Sequence, residues 1–267
     1  MSIPSVISGD MSSRDGTGTV GRIRRNVTDP LLCEFYHVAE LPDGSLTRAE
    51  WDLRQGVDQY LGGVDFSRQS VLEIGPASGF LSFYMEKKGA KVTSIEPPIE
   101  TFWDLVPRAA DGLESRKTEF KSHVERVRNS FWYFHGVNHS AVELYEVDAY
   151  NIPDELGTFD NGLLASILLH CSSPVRMIES VSRRVKNTMI ICDLYHEDLG
   201  DGPICSLVPT KDNDTIDTWW RFTPAFFVDY LGVLGFVHSR VVRHRQLHVP
   251  GDIWLEMFTV VASRSSG

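Results

Sequence analysis

QSVLEIGPASGFLSFYMEKKGAKVTSIEPP, residues 69–98, carries the pattern around which the chain is organised. Val71, Leu72 and Ile74 form a short apolar run broken only by Glu73, and Gly75-Pro-Ala-Ser-Gly79 follows at once. The stretch from Phe80 to Lys87 then carries the spacing of a helix. Strand, glycine-bounded turn and helix in that order predict a buried parallel strand that delivers the chain to a helix N-terminus. A second run, Val92 to Ile95, ends in Glu96, and Pro97-Pro98 stops it there. Glu96 stands 21 residues after Gly75. At that interval an acidic side chain on the next strand tip meets the ribose hydroxyls of a bound nucleotide.

The turn narrows the nucleotide. Dinucleotide binding calls for G-x-G-x-x-G, whose third glycine lets helix and strand pack closely around a pyrophosphate. Here the second and third glycines would fall at Ala77 and Phe80. The chain carries E-x-G-x-x-x-G instead, from Glu73 through Gly75 to Gly79, with an acid beside the turn where a pyrophosphate would be repelled. An uncharged or cationic nucleotide is favoured. In these residues and in Glu96 the sequence resembles the class I methyltransferases that use S-adenosylmethionine. The resemblance implies that cofactor, and it assigns Glu73, Gly75, Pro76, Ala77, Gly79 and Glu96 to its binding. The competing reading is a glycine turn that only permits tight packing, as in any doubly wound domain.

Residues 1–28 are polar, rich in Ser and Gly, and end in Arg22, Arg24 and Arg25; this segment is expected to be a disordered tail. Residues 29–267 are expected to form a single domain, with 29–67 as elements that the resemblance makes part of a cap over the cofactor. Thr47 and Glu50 have the spacing of a capping box, which predicts a helix carrying Trp51, Val57, Tyr60 and Leu61 up to Gly62-Gly63. Between 99 and 135, Phe120, Val124, Val127, Phe131 and Phe134 recur at helical spacing. The mixed charges around them, Arg126 and Arg128 included, predict a solvated face.

The third strand is expected over 141–147 with Asp148 at its tip, where an acid can accept from an adenine amino group; Asp148 and Ala149 are the candidate adenine site. A turn cap at Asp148 is the alternative. A fourth strand runs through Leu163, Leu164 and Ile167 towards His170, Ser173-Pro174 opens a helix, and a fifth strand, 188–192, ends at Asp193. The polar stretch 194–218 is too long for a tight connection. Two closing runs, 236–245 and 253–262, joined at Pro250-Gly251, predict an antiparallel hairpin. The fold class is therefore α/β: a doubly wound, mostly parallel seven-stranded sheet, Rossmann-like in the manner of methyltransferases, with an antiparallel C-terminal hairpin.

Ligands of such a sheet lie outside the carboxyl ends of its strands, where Gly75, Glu96, Asp148, His170 and Asp193 should line one edge. A neutral imidazole suits a hydroxyl acceptor as base, which makes His170 and then His196 the catalytic candidates. Trp219, Trp220, Arg221, His135 and His139 are the candidate substrate contacts; no metal is expected. A formal charge of −10 argues against nucleic acid as partner. No stretch approaches the ~20 apolar residues of a membrane helix. The N-terminus lacks the pattern of a secretory signal, so a cytoplasmic protein is expected. The four cysteines suggest neither zinc nor a disulfide framework.

The segments 36–96, 132–136, 168–174, 218–224 and 234–236 further resemble a subfamily related to the enzymes that complete wobble-uridine carboxymethoxylation in tRNA. The RNA-facing region of those enzymes is mostly missing here and the chain is acidic. Ordinary S-adenosylmethionine and a small acceptor, a sugar or secondary metabolite methylated at oxygen, are the expectation. A tRNA-modifying methyltransferase and a non-catalytic partner protein with a cofactor fold are the alternatives.

Overall fold

Val71, Leu72 and Ile74 become a strand buried on both faces, and the rest of the molecule is layered on it. The computed structural model describes residues 20–99, 104–108 and 113–265. Along these the chain runs β1 (Gly21–Ile23), β2 (Trp51–Asp52), α1 (Val57–Tyr60), β3 (Ser70–Ile74), α2 (Phe80–Lys87), β4 (Lys91–Glu96), α3 (Leu113–Val137) and β5 (Glu143–Glu146). It continues through β6 (Phe159–Ala165), α4 (Pro174–Ser182), β7 (Val185–Leu194), β8 (Cys205–Leu207), β9 (Trp220–Phe222), α5 (Pro224–Val233), β10 (His238–His248) and β11 (Ile253–Ser263).

Among the described residues nine strands form one sheet in the order β1-β5-β4-β3-β6-β7-β11-β10-β2. The five from β5 to β7 are parallel. β11 then runs antiparallel to β7 and pairs with β10 as a long hairpin. This is the doubly wound, mostly parallel sheet of seven strands with an antiparallel ending, extended by β1 along β5 and by β2 along the end of β10.

Side chains alternate across a strand, so β3 feeds two cores. Leu72 and Ile74 pack with Met177 and Ile178 of α4 and with Phe227 and Leu231 of α5. Val71 packs on the other face with Leu81 and Met85 of α2 and with Phe131 and Trp132 of α3. The helices begin and end where local chemistry dictates. α5 starts after Thr223, whose Oγ1 accepts the Phe226 N–H at 3.4 Å, with Pro224 in its first turn. α2 ends before Gly89, at φ +95°, whose N–H returns to the Glu86 carbonyl at 2.8 Å. No helix among the described residues is long and apolar enough to cross a membrane.

Three expectations change. Of the expected tail, residues 1–19 lie outside the described residues, and Gly21–Ile23 forms the edge strand β1 against β5. Thr47 and Glu50 form no capping box. The buried Thr47 hydroxyl instead accepts the Ala39 N–H at 2.9 Å and donates to the His37 carbonyl at 3.2 Å. Trp51 and Asp52 are a strand paired with His248 and Leu247, leaving only Val57–Tyr60 helical; pairing with the β10 edge outweighs local propensity. The stretch 194–218 is no bare loop either: it contains β8, which pairs with β9 as a separate two-stranded antiparallel sheet.

Candidate functional site

Five parallel strands end on one edge, and their register sets those ends side by side. Ile74 pairs with both Ile95 and Leu164, Glu96 with Glu146, and Ala165 with Cys192. One residue further along, Gly75 is level with Glu96 and Ala165, and Ser166 with Asp193. Two cavities open outside this edge, where ligands of such sheets lie.

The first, about 370 Å³, is walled by Gly75, Pro76 and Ala77 of the turn, by Tyr36, His37, Trp51 and Tyr60 of the preceding segment, and by α3. Glu96, Ser166, Asp193, Asp217 and Thr218 also line it. The second, about 580 Å³, has Ile74, Pro97, Val147, Ala149, Tyr150 and Met177 as its largely apolar walls and Glu146 and Asp148 among its polar groups. Gly75, Ile167 and His170 line both. Each volume lies in the range of small-molecule sites. At their junction Gly75 holds φ +70°, and a Cβ there would come within 3.0 Å of Ile167 Cδ1.

The charged groups are tied down at different depths. Glu96 and Arg128, 4% and 2% exposed, form a buried ion pair through Oε2 and Nε. Arg128 also donates to the Pro97 carbonyl and brings Nη1 to 3.6 Å from Glu146 Oε1, so it spans the tips of β4 and β5. Burial raises the Glu96 carboxyl even against the pull of this arginine. Glu73 lines neither cavity. It points to the α2 side, where the Ser82 hydroxyl and the Ser94 hydroxyl (2.7 Å) donate to Oε2, and burial pushes it up to about 7. His37 is buried against Ser78, with Nδ1 3.2 Å from Oγ, and burial pushes its imidazole down to about 3. It is therefore neutral near pH 7.

His170 ends the short 3-10 turn after β6, and its Nδ1–H donates to the Asp217 carbonyl at 2.5 Å. That bond fixes the tautomer with the lone pair on Nε2. Asp193, 3% exposed, accepts the Leu194 N–H at 2.7 Å through Oδ1, while Oδ2 has no hydrogen-bond partner among the described residues. Asp148 lines the second cavity while both its oxygens accept from its own turn, from Tyr150 N and Asn151 Nδ2, each at 2.9 Å. It caps the turn and faces the cavity at once.

Several sequence candidates fall elsewhere. Gly79 precedes α2 at φ +82° against Phe83 and Phe131 and lines neither cavity. His196 lines neither; it is half-buried, and burial with the nearby Arg221 lowers its pKa. Arg221 pairs with Asp198 at 2.9 Å. Trp219 donates to the Asp104 carbonyl and Trp220 to the Cys171 carbonyl (2.8 Å), so the indoles anchor loops rather than face a ligand. His135, bonded to the Val142 carbonyl at 3.1 Å, and His139 lie where α3 returns to the start of β5. That is the amino edge of the sheet, opposite the cavities. Conversely, Arg128, His37, Tyr36 and Tyr60 line the first cavity without having stood out in the sequence. Only the interval between the helical apolar positions 124, 127 and 131 hints that position 128 shares their face.

No protein-family model matches this chain, and no curated protein matches it. Among solved structures it is similar to the N-terminal domain of EvdMO1 determined in the presence of S-adenosylhomocysteine and D-fucose, at 18% identity over 88% of this chain and 93% of that one, TM-score 0.49. It is also similar to the magnesium protoporphyrin IX methyltransferase of Synechocystis PCC 6803 with bound S-adenosylhomocysteine, at 14% identity over 79% and 83%, TM-score 0.49. A third is the 1,6-didemethyltoxoflavin-N1-methyltransferase of Burkholderia thailandensis, at 14% identity over 80% and 78%, TM-score 0.48. Likenesses this distant leave the function to be argued from the residues of the site itself.

Proposed function

We propose that this chain binds S-adenosylmethionine across the two cavities and catalyses methyl transfer to a small molecule, at oxygen, seated in the first. The observation that carries the reading is the meeting of the two cavities at Gly75, with acidic groups on both sides. Among the described residues no Lys or Arg lines the second cavity, while Asp104, Glu146 and Asp148 do. A diphosphate would find no counter-charge there, whereas a sulfonium-bearing adenosine fits. Ala149 and Asp148 would hold the adenine, Glu96 the ribose, and the turn at Gly75–Ala77 the amino-acid end. When bound, the cofactor supplies a methyl group by direct displacement at sulfur, so the protein's task is alignment and a route for a proton. His170 lies at the junction with its Nε2 lone pair fixed, the arrangement of a base for an acceptor hydroxyl.

Titration calorimetry with S-adenosylmethionine and S-adenosylhomocysteine tests this. Binding of both at roughly micromolar Kd is expected; no heat from either contradicts it. His170→Ala is expected to keep the S-adenosylhomocysteine affinity within about threefold, since it removes no cofactor charge. The same variant should lose most transfer of labelled methyl into a small-molecule extract. Equal losses in both would assign His170 to binding.

A further inference from the structure

We propose that Asp193 anchors the methyl acceptor, and that the acceptor is a ring-bearing compound presenting a hydroxyl or ammonium hydrogen to it, with no carboxylate or phosphate at that end. The inference rests on the reading of the first cavity as the acceptor's.

Asp193 is level with Ser166, on the second strand from Gly75 in the direction away from Glu96 and Asp148. Strands are about 4.8 Å apart, which places it roughly 10 Å from the turn. It lines the first cavity and not the second. Glu96 lines the first cavity too, but on the far side of Gly75, so a nucleotide held at Glu96 and Asp148 leaves Asp193 to the other ligand.

The carboxyl itself is unfinished. Oδ1 already takes the Leu194 N–H at 2.7 Å. Oδ2 is buried, with no hydrogen-bond partner among the described residues. A buried polar atom left without a partner is costly, and at a cavity wall a ligand donor is what completes it. Burial also pushes this carboxyl up to about 7, so the ionised form gains from an incoming hydrogen.

The surroundings set the class of ligand. Glu50 and Asp217 line the same cavity; of Arg128, Nε faces Glu96, Nη2 donates to the Pro97 carbonyl and Nη1 lies 3.6 Å from Glu146, so carboxylates already surround its charge. An anionic acceptor would meet carboxylates. Tyr36, Trp51 and Tyr60 offer flat apolar walls to a ring.

Asp193→Asn is the discriminating variant, because asparagine keeps the size and the Oδ1 bond while turning Oδ2 into a donor. Saturation-transfer NMR on protein saturated with S-adenosylhomocysteine would compare phenol, benzylamine, benzoate and phenyl phosphate. Phenol and benzylamine are expected to give signal and the two anions none. Asp193→Asn is expected to cut the phenol and benzylamine signals by about fivefold or more, with S-adenosylhomocysteine affinity within about twofold of wild type. Signals unchanged by the substitution, anions binding as well as phenol, or no ring binding at all would overturn the inference. If S-adenosylhomocysteine itself does not bind, the proposed function fails. The same four rings on the ligand-free protein still decide the role of Asp193.

Discussion

Arg128→Leu is expected to destabilise the protein by about 3 to 5 kcal/mol, the cost of removing one partner from a buried ion pair. Leucine would leave Glu96, 4% exposed, without its guanidinium and the Pro97 carbonyl without its donor. Burial already holds the Glu96 carboxyl above its ordinary value with the arginine present; without it the group would protonate or draw water into the core. The approach of Nη1 to Glu146 on the neighbouring strand, at 3.6 Å, would be lost as well. Urea unfolding measures the loss. The double variant Arg128→Leu with Glu96→Leu should recover most of it, because apolar replacement of both partners removes the uncompensated charge. It should nevertheless bind S-adenosylhomocysteine poorly, having lost the ribose partner. A single variant as stable as wild type would mean that the pair is solvated and contributes little.

Gly75→Val is expected to lower S-adenosylhomocysteine affinity about a hundredfold, or about 2.7 kcal/mol. Two effects combine. At φ +70° a β-branched residue is strained by about 1 to 3 kcal/mol. A side chain there would also press on Ile167 and occupy the passage shared by the two cavities. Gly79→Ala is the control. It too has positive φ, and its Cβ would come within 2.8 Å of Phe131 Cδ2, yet it lines neither cavity. It should cost about 2 to 4 kcal/mol of stability through strain and overpacking. Its folded fraction should bind like wild type in calorimetry. If both glycine variants lost affinity equally, the turn would matter for packing alone.

These two experiments fall on residues that differ in how far the sequence exposes them. Gly75 was legible because strand, turn and helix are local, and alternating burial on β3 follows from the pattern of Val71, Leu72 and Ile74. The alignment of Glu96, Asp148, His170 and Asp193 along one edge was legible too, since parallel strands bring successive tips together whatever their separation in sequence. Arg128 was not. It stands among several charges on α3, and the groups that bury it, Glu96 and the Pro97 carbonyl, come from β4 and the residue after it, so it looked solvated. Thr47 and Glu50 carried a helix signal that was overridden by pairing between Trp51 and His248, nearly the whole length of the domain away. His135 and His139 could have been discounted from topology alone: the helix that precedes a parallel strand delivers its end to the amino edge. For Trp219 and Trp220 nothing in the sequence distinguishes a ligand wall from an anchor whose indole N–H meets a carbonyl.

The two cavities, in this reading, form one site organised on Gly75. A crystal structure of the protein with S-adenosylhomocysteine would show it. The adenine should lie in the cavity of Asp148 and Ala149, the ribose at Glu96, and the sulfur beside Gly75 facing the chamber of Asp193. Adenine seated among Tyr36, Trp51 and Asp193, or ligand bound away from the carboxyl edge altogether, would contradict it.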